Sequence, residues 1–378
     1  MFDIESGQPV PRADALPRAD ALPRGVERHG ETFTGELPRS VVESDSGVHA
    51  SLDGLFGDLT TTRARMDRAA ASEGQAGAAS PARLGTVPST EDDPRHAHLT
   101  EEYGRLGDEQ LICGVHVHAD VPDRDTAVRA VCVGAPCLPV LPELSASSPY
   151  GPGADTGHAS RRTVVRQRRP TAGPPGCFAG AQEYDRVVDE LVGSGVIGDP
   201  GMICDDLRLP DHLPTVEMRV CDASPHAETV GMTAELHRVL VADALDRTET
   251  GKAGCGGNHA WLRAATWHAA RSGPEGDPVD PLTCRPVPAP DAVRGMLRLL
   301  RPALEAHGDR ATVRSLAEEA PPPRPPPTDA TTDRPTEEGH MRKHDRPPLH
   351  ATGSASPGSR PARSIVPGEV AFRVRSDR

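Results

Sequence analysis

Leu111-Ile-Cys-Gly-Val-His-Val-His118 and Pro214-Thr-Val-Glu-Met-Arg-Val-Cys-Asp222 are the two stretches from which the fold is read. Both alternate, and in a strand successive side chains point to opposite faces. His116 and His118 therefore share one face with Gly114, while Val115 and Val117 take the other. In the second stretch Glu217, Arg219 and Cys221 share a face, opposite Val216, Met218 and Val220. Each strand buries aliphatics on one side and presents ionisable groups on the other. Two readings stay open here. One is an antiparallel sheet with a solvated face, in which Glu217 and Arg219 make a surface ion pair. The other is a polar cavity whose floor binds a metal and an anionic substrate, for which a His-x-His strand has suitable spacing.

Outward from these strands the pattern turns helical. Tyr184, Val187, Val188, Leu191 and Val192 form a stripe over 181–195, ended by Gly193 and Gly195. Further helices are expected at 52–71, from Asp123, and at about 225–247, 257–272 and 290–307. Pro136, Pro139 and Pro142 interrupt the helix begun at Asp123, because proline lacks the N–H that the helix needs. Residues 145–180 read as a long polar connection. A tandem hexapeptide, Pro11-Arg-Ala-Asp-Ala-Leu16 and Pro17-Arg-Ala-Asp-Ala-Leu22, is too short for a solenoid. From Pro321 onward, twelve prolines in 58 residues predict disorder.

Composition narrows the function classes. Only 10 of 378 residues are aromatic, so the core must be built from Leu, Val, Ala and Met. The net charge of −13, with lysine confined to Lys252 and Lys343, excludes a lysine-centred phosphate loop. It also speaks against sequence-independent nucleic-acid binding. No apolar run reaches the roughly 18 residues that span a bilayer, and the acidic start lacks a signal-peptide pattern. A cytoplasmic protein without membrane or nucleic-acid partners is expected. Its eight cysteines lack any Cys-x-x-Cys pair, which argues against structural zinc and for reduced thiols. His96, His98, His226 and His237 have no motif around them and read as surface or cap residues. The oligomeric state is not legible, and a homo-oligomer stays open.

Four segments in order carry a resemblance. They are Cys113-Gly-Val-His-Val-His-Ala-Asp-Val-Pro-Asp-Arg124; Leu144-Ser-Ala-Ser-Ser-Pro149 followed by Asp155-Thr-Gly-His-Ala-Ser-Arg-Arg162; Arg169-Pro-Thr-Ala-Gly-Pro-Pro175; and Asp199-Pro-Gly-Met202 leading to Pro214-Thr-Val-Glu-Met-Arg-Val220. In these segments the sequence resembles the bacterial carboxylate–amine ligases of the glutamate–cysteine ligase 2 family. The resemblance implies an α+β fold of the glutamine-synthetase-like kind, with a curved, mostly antiparallel sheet flanked by helices. It places the catalytic domain at 1–310 and leaves 311–378 as a disordered tail. It implies ATP and Mg2+ as cofactors, and glutamate with cysteine or another amine as substrates. Joined through a γ-glutamyl phosphate, these would give γ-glutamylcysteine.

By position the resemblance makes Glu43, His116 and Glu217 the metal-facing set and turns Arg219 to the γ-phosphate. Arg162 would clamp a substrate carboxylate, a task suited to its planar fork, and His118 would hydrogen-bond nucleotide or substrate. Two departures matter. The family's run of glutamates falls just before the segment matching Phe2-Asp3-Ile4, so either a start upstream of Met1 or a reduced metal site is expected. Several ring positions near the cavity hold His158, Arg161, Arg166, Arg169, Cys204 and Asp205 instead. An impaired relative that binds nucleotide or amino acid without ligation is therefore the alternative.

Overall fold

The computed structural model describes residues 2–3, 32–35, 41–72, 75–76, 101–151, 154–249, 258–318 and 370–374. In chain order the main elements are β1 (Thr32–Gly35), β2 (Val42–His49), α1 (Leu52–Ser72), β3 (Val115–Asp120), α2 (Arg124–Gly134), α3 (Val140–Ser145), α4 (Arg161–Arg166) and α5 (Ala181–Gly193). There follow β4 (Leu207–Arg208), β5 (Thr215–Met218), α6 (Ala227–Glu249), α7 (His259–Ser272), α8 (Ala289–Leu299), α9 (Arg301–Ala306), α10 (Arg310–Glu318) and β6 (Val370–Val374). The fold is α+β, as expected.

The six strands form one mixed sheet in the order β1-β2-β6-β3-β5-β4. Pairs β1–β2, β3–β5 and β5–β4 are antiparallel, while β6 runs parallel to both β2 and β3. The central strand thus comes from the segment expected to be disordered, which also holds α10, and that expectation is corrected at these two elements. Val370-Ala-Phe-Arg-Val374 is a short β-prone run whose signal is lost when composition is averaged over a proline-rich stretch.

One sheet face carries the core. Val115, Val117 and Ala119 of β3, with Val216 and Met218 of β5, are buried beneath α2 and α6. Full burial of an aliphatic side chain of this size contributes about 1.5–3 kcal/mol. Tyr184 is the one aromatic among the described buried hydrophobics, so the expected Leu/Val/Ala/Met core is present. His237 of α6 differs from its surface reading. It is fully buried, and its Nε2 hydrogen-bonds the Val216 carbonyl at 2.9 Å.

Several local expectations meet the structure directly. Asp123 caps α2, accepting from the Thr126 amide at 2.7 Å. After α2 the prolines impose a short 3-10 turn, Ala135–Cys137, before α3. The helix expected at 290–307 is broken into α8 and α9, with Pro302 in the first turn of α9, where a missing N–H costs nothing. The connection 145–180 is not featureless: it holds a small hairpin, Tyr150–Gly151 with Ala154–Asp155, and α4, capped by Ser160. Cys132 and Cys177 form a disulfide, their Cα atoms 5.4 Å apart, which corrects the expectation of reduced thiols at that pair. The tandem hexapeptide, His96 and His98 lie outside the described residues.

Among the described residues, no helix is long and apolar enough to cross a membrane.

Candidate active site

The register of the sheet assembles the site. Glu217 on β5 stands opposite His118 on β3 and, on its other side, opposite Arg208 on β4. Residues paired across strands share a face, so Arg208, Glu217 and His118 form one row across three strands. By Cα register, β6 pairs Arg373 with His118.

Glu217 is the centre of the cluster and is almost fully buried, 2% exposed. The Arg208 Nε donates to its Oε2 at 2.5 Å, and the Arg219 Nη1 donates to its Oε1. The His116 Nδ1 lies 3.6 Å from Oε1, and the His118 Nε2 lies 3.9 Å from it. Burial alone would raise the Glu217 pKa, but Arg219, Arg208 and the two histidines outweigh it and hold the carboxyl far below the usual range. Burial pushes His118 the other way, down to about 4, against the pull of Glu217. His118 is therefore neutral at physiological pH, its Nδ1 3.0 Å from the Thr215 hydroxyl. Glu43 on β2 comes near the cluster, with Oε1 3.9 Å from His116 Nδ1.

The sequence-derived residues thus divide. Glu43, His116, His118, Glu217 and Arg219 share one polar neighbourhood. Arg162, expected to clamp a carboxylate, is fully buried. Its Nη1 and Nη2 donate to the Val220 and Arg219 carbonyls at 3.3 and 3.1 Å. This holds the backbone that carries Arg219. Gly114 permits the approach: a Cβ there would stand 1.9 Å from the Arg162 Nη2. Asp222 steadies the same corner, accepting from the Ser147 amide at 3.0 Å and from the Ser148 and Ser160 hydroxyls at 2.7 Å each. These serines belong to the segments that carry the resemblance, and the contacts explain their place in it.

Arg208 was not among the sequence-derived residues. Its Nη1 also donates to the Gly201 and Ile203 carbonyls at 3.0 and 2.7 Å. A two-residue strand offers no alternation to read; the one signal was Arg208 between Leu207 and Leu209.

Magnesium takes about six oxygen ligands in near-octahedral geometry. Here both Glu217 oxygens receive arginine donors, and imidazole nitrogens are poor magnesium ligands. Among the described residues no group of three or more His, Cys, Asp or Glu could hold a metal ion. The described residues do not fit magnesium. Arg208 and Arg219 are the cations of this polar face, and both pair with Glu217.

The comparisons agree on kinship. The model of the family described as Glutamate-cysteine ligase family 2 matches residues 1–319. A Frankia alni protein named "Putative glutamate--cysteine ligase 2-3" is 45% identical over 327 residues, 85% of this chain and 37% of that protein. A Saccharopolyspora erythraea protein named "Putative glutamate--cysteine ligase 2-2" is 39% identical over 316 residues, 83% of this chain and 81% of that protein. The chain spans little more than a third of the Frankia relative, and most of the Saccharopolyspora one. With its motifs in order and its strand pattern realised as one polar sheet face, the chain belongs to the glutamate–cysteine ligase 2 family.

Proposed function

We propose that this chain is an ATP-dependent carboxylate–amine ligase that joins glutamate to cysteine. The observation that carries the reading is the row Arg208–Glu217–His118, with Arg219 and His116 against the same carboxylate. In the proposed reaction the γ-phosphoryl group of ATP passes to a γ-carboxylate oxygen of glutamate, and ADP departs. The cysteine amine then attacks the acyl carbon, loses a proton, and phosphate leaves. Arg219 offers charge to the phosphoryl group, where positive charge preplaced in a dry site lowers the barrier most. Neutral His118 supplies a hydrogen bond without adding charge. Arg162 acts through the backbone, holding Arg219 in place. No step is assigned to magnesium, because the described donors do not fit it.

The engagement of both Glu217 oxygens by arginines favours a second reading, a relative that binds nucleotide or amino acid without ligation. One assay separates the two: ADP release by purified protein supplied with ATP, glutamate, cysteine and magnesium. Release that needs both amino acids and is lost in Arg219→Ala supports the ligase. ATP binding without turnover supports the binder. Neither turnover nor ATP binding removes both.

A further inference from the structure

A second polar feature lies away from the sheet face. Between α3, residues 155–159 after the hairpin, the end of α7 and helices α8 to α10 runs a cleft of about 1450 Å³. None of Glu43, His116, His118, Glu217 or Arg219 lines it. Its volume exceeds the roughly 300–1,000 Å³ of ordinary small-molecule pockets. Leu144, Val293, Leu297 and Leu304 give its walls an apolar body.

Glu143 of α3 reaches this cleft from the buried side. It is 2% exposed, and neither carboxyl oxygen has a hydrogen-bond partner. Buried polar groups are almost always hydrogen-bonded, so one left without a partner calls for an explanation. Burial first, then the nearby charge of Asp277, raises its pKa to about 9. The lining also carries several arginines. Arg294, Arg301, Arg310 and Arg314 are held in ion pairs with helix carboxylates. Arg298, exposed on α8, has no such partner among the described residues. The lining of the cleft therefore holds a buried carboxyl without a hydrogen-bond partner, apolar side chains and an exposed cation.

We infer that this cleft binds a small zwitterion, with a cationic amine seated at Glu143, a carboxylate at Arg298 and an apolar body between. An ammonium group supplies the donors that Glu143 lacks and stabilises its charged form, while the exposed guanidinium pairs with the carboxylate in fork geometry. The apolar walls add affinity that neither end provides alone. The site is separate from the proposed ligase face, so its test does not depend on turnover.

Isothermal titration of the full chain with ω-aminohexanoate, hexylammonium and hexanoate tests the inference. ω-Aminohexanoate is expected to bind at least about tenfold more tightly than either single-ended analogue. Glu143→Gln and Arg298→Ala are each expected to weaken it by about tenfold. Arg298 is exposed, so its variant remains decisive even where Glu143→Gln alters folding. Equal binding of all three probes, binding of none, or binding of ω-aminohexanoate that survives the Arg298 substitution overturns the inference.

Discussion

Replacing Glu217 with Gln deletes one buried negative charge and leaves Arg208, Arg219, His116 and His118 around its place. At an effective dielectric of about 20, unit charges about 4 Å apart attract by about 4 kcal/mol, so the two arginines give about 8 kcal/mol gross. Desolvation offsets much of this, and removing one partner of a buried pair costs about 3–5 kcal/mol net. The Gln amide oxygen still accepts one guanidinium N–H, which places the expected loss near the lower bound, about 3 kcal/mol. At about 2–4 °C per kcal/mol, the melting temperature should fall by about 6–12 °C. Circular dichroism melts of both proteins at pH 7 measure the difference. The pH dependence gives a second check. The folded carboxyl ionises far below its ordinary range, so its contribution is fully present above the unfolded pKa of about 4.3. It is lost as pH falls through the folded pKa, and the gap between the proteins should narrow below about pH 4. Equal melting at pH 7, or a gap that widens in acid, would refute the reasoning.

Gly114→Ala would drive a Cβ to within 1.9 Å of the Arg162 Nη2, and overpacking of this kind costs about 1–3 kcal/mol; urea unfolding should show that loss, and an unchanged midpoint would mean the guanidinium moves freely. His118 and His237 are both pushed down to about 4, chiefly by burial. With folded values below the unfolded one of about 6.5, stability should fall as pH drops from about 6.5 to about 4. Histidine NMR titration checks this, and either ring titrating near 6.5 in the folded protein would contradict it. The Cys132–Cys177 bridge closes a separation of 45 residues, worth about 4 kcal/mol in the chain-entropy model. Reduction should release two further thiols in a thiol titration under denaturing conditions and lower the melting temperature, whereas an unchanged thiol count would remove the bridge.

How much was legible in the sequence follows from how local each signal is. Alternation over 111–118 and 214–222 was enough to place His116, His118, Glu217 and Arg219 on polar faces and their aliphatic neighbours in the core. The capped start at Asp123 and the proline punctuation after Gly134 were equally readable, because caps and missing N–H groups act within a few residues. What needed the tertiary structure was pairing between distant segments. Arg208 joins the cluster because β4 pairs with β5 in a register that sets it against Glu217, and a two-residue strand announces no register. Arg162 lies in a motif, yet two of its acceptors are carbonyls just beyond β5, more than 50 residues away, a contact that no local signal announces. The same holds for Val370–Val374, whose central place depends on two parallel partners far earlier in the chain. The sequence by itself determined the family, through motifs in order, and the polar strand faces, through a period of two, while the fold class followed from the resemblance. The tertiary structure alone decided which charges meet, because the energy of a charge depends on burial and on neighbours brought together only by folding.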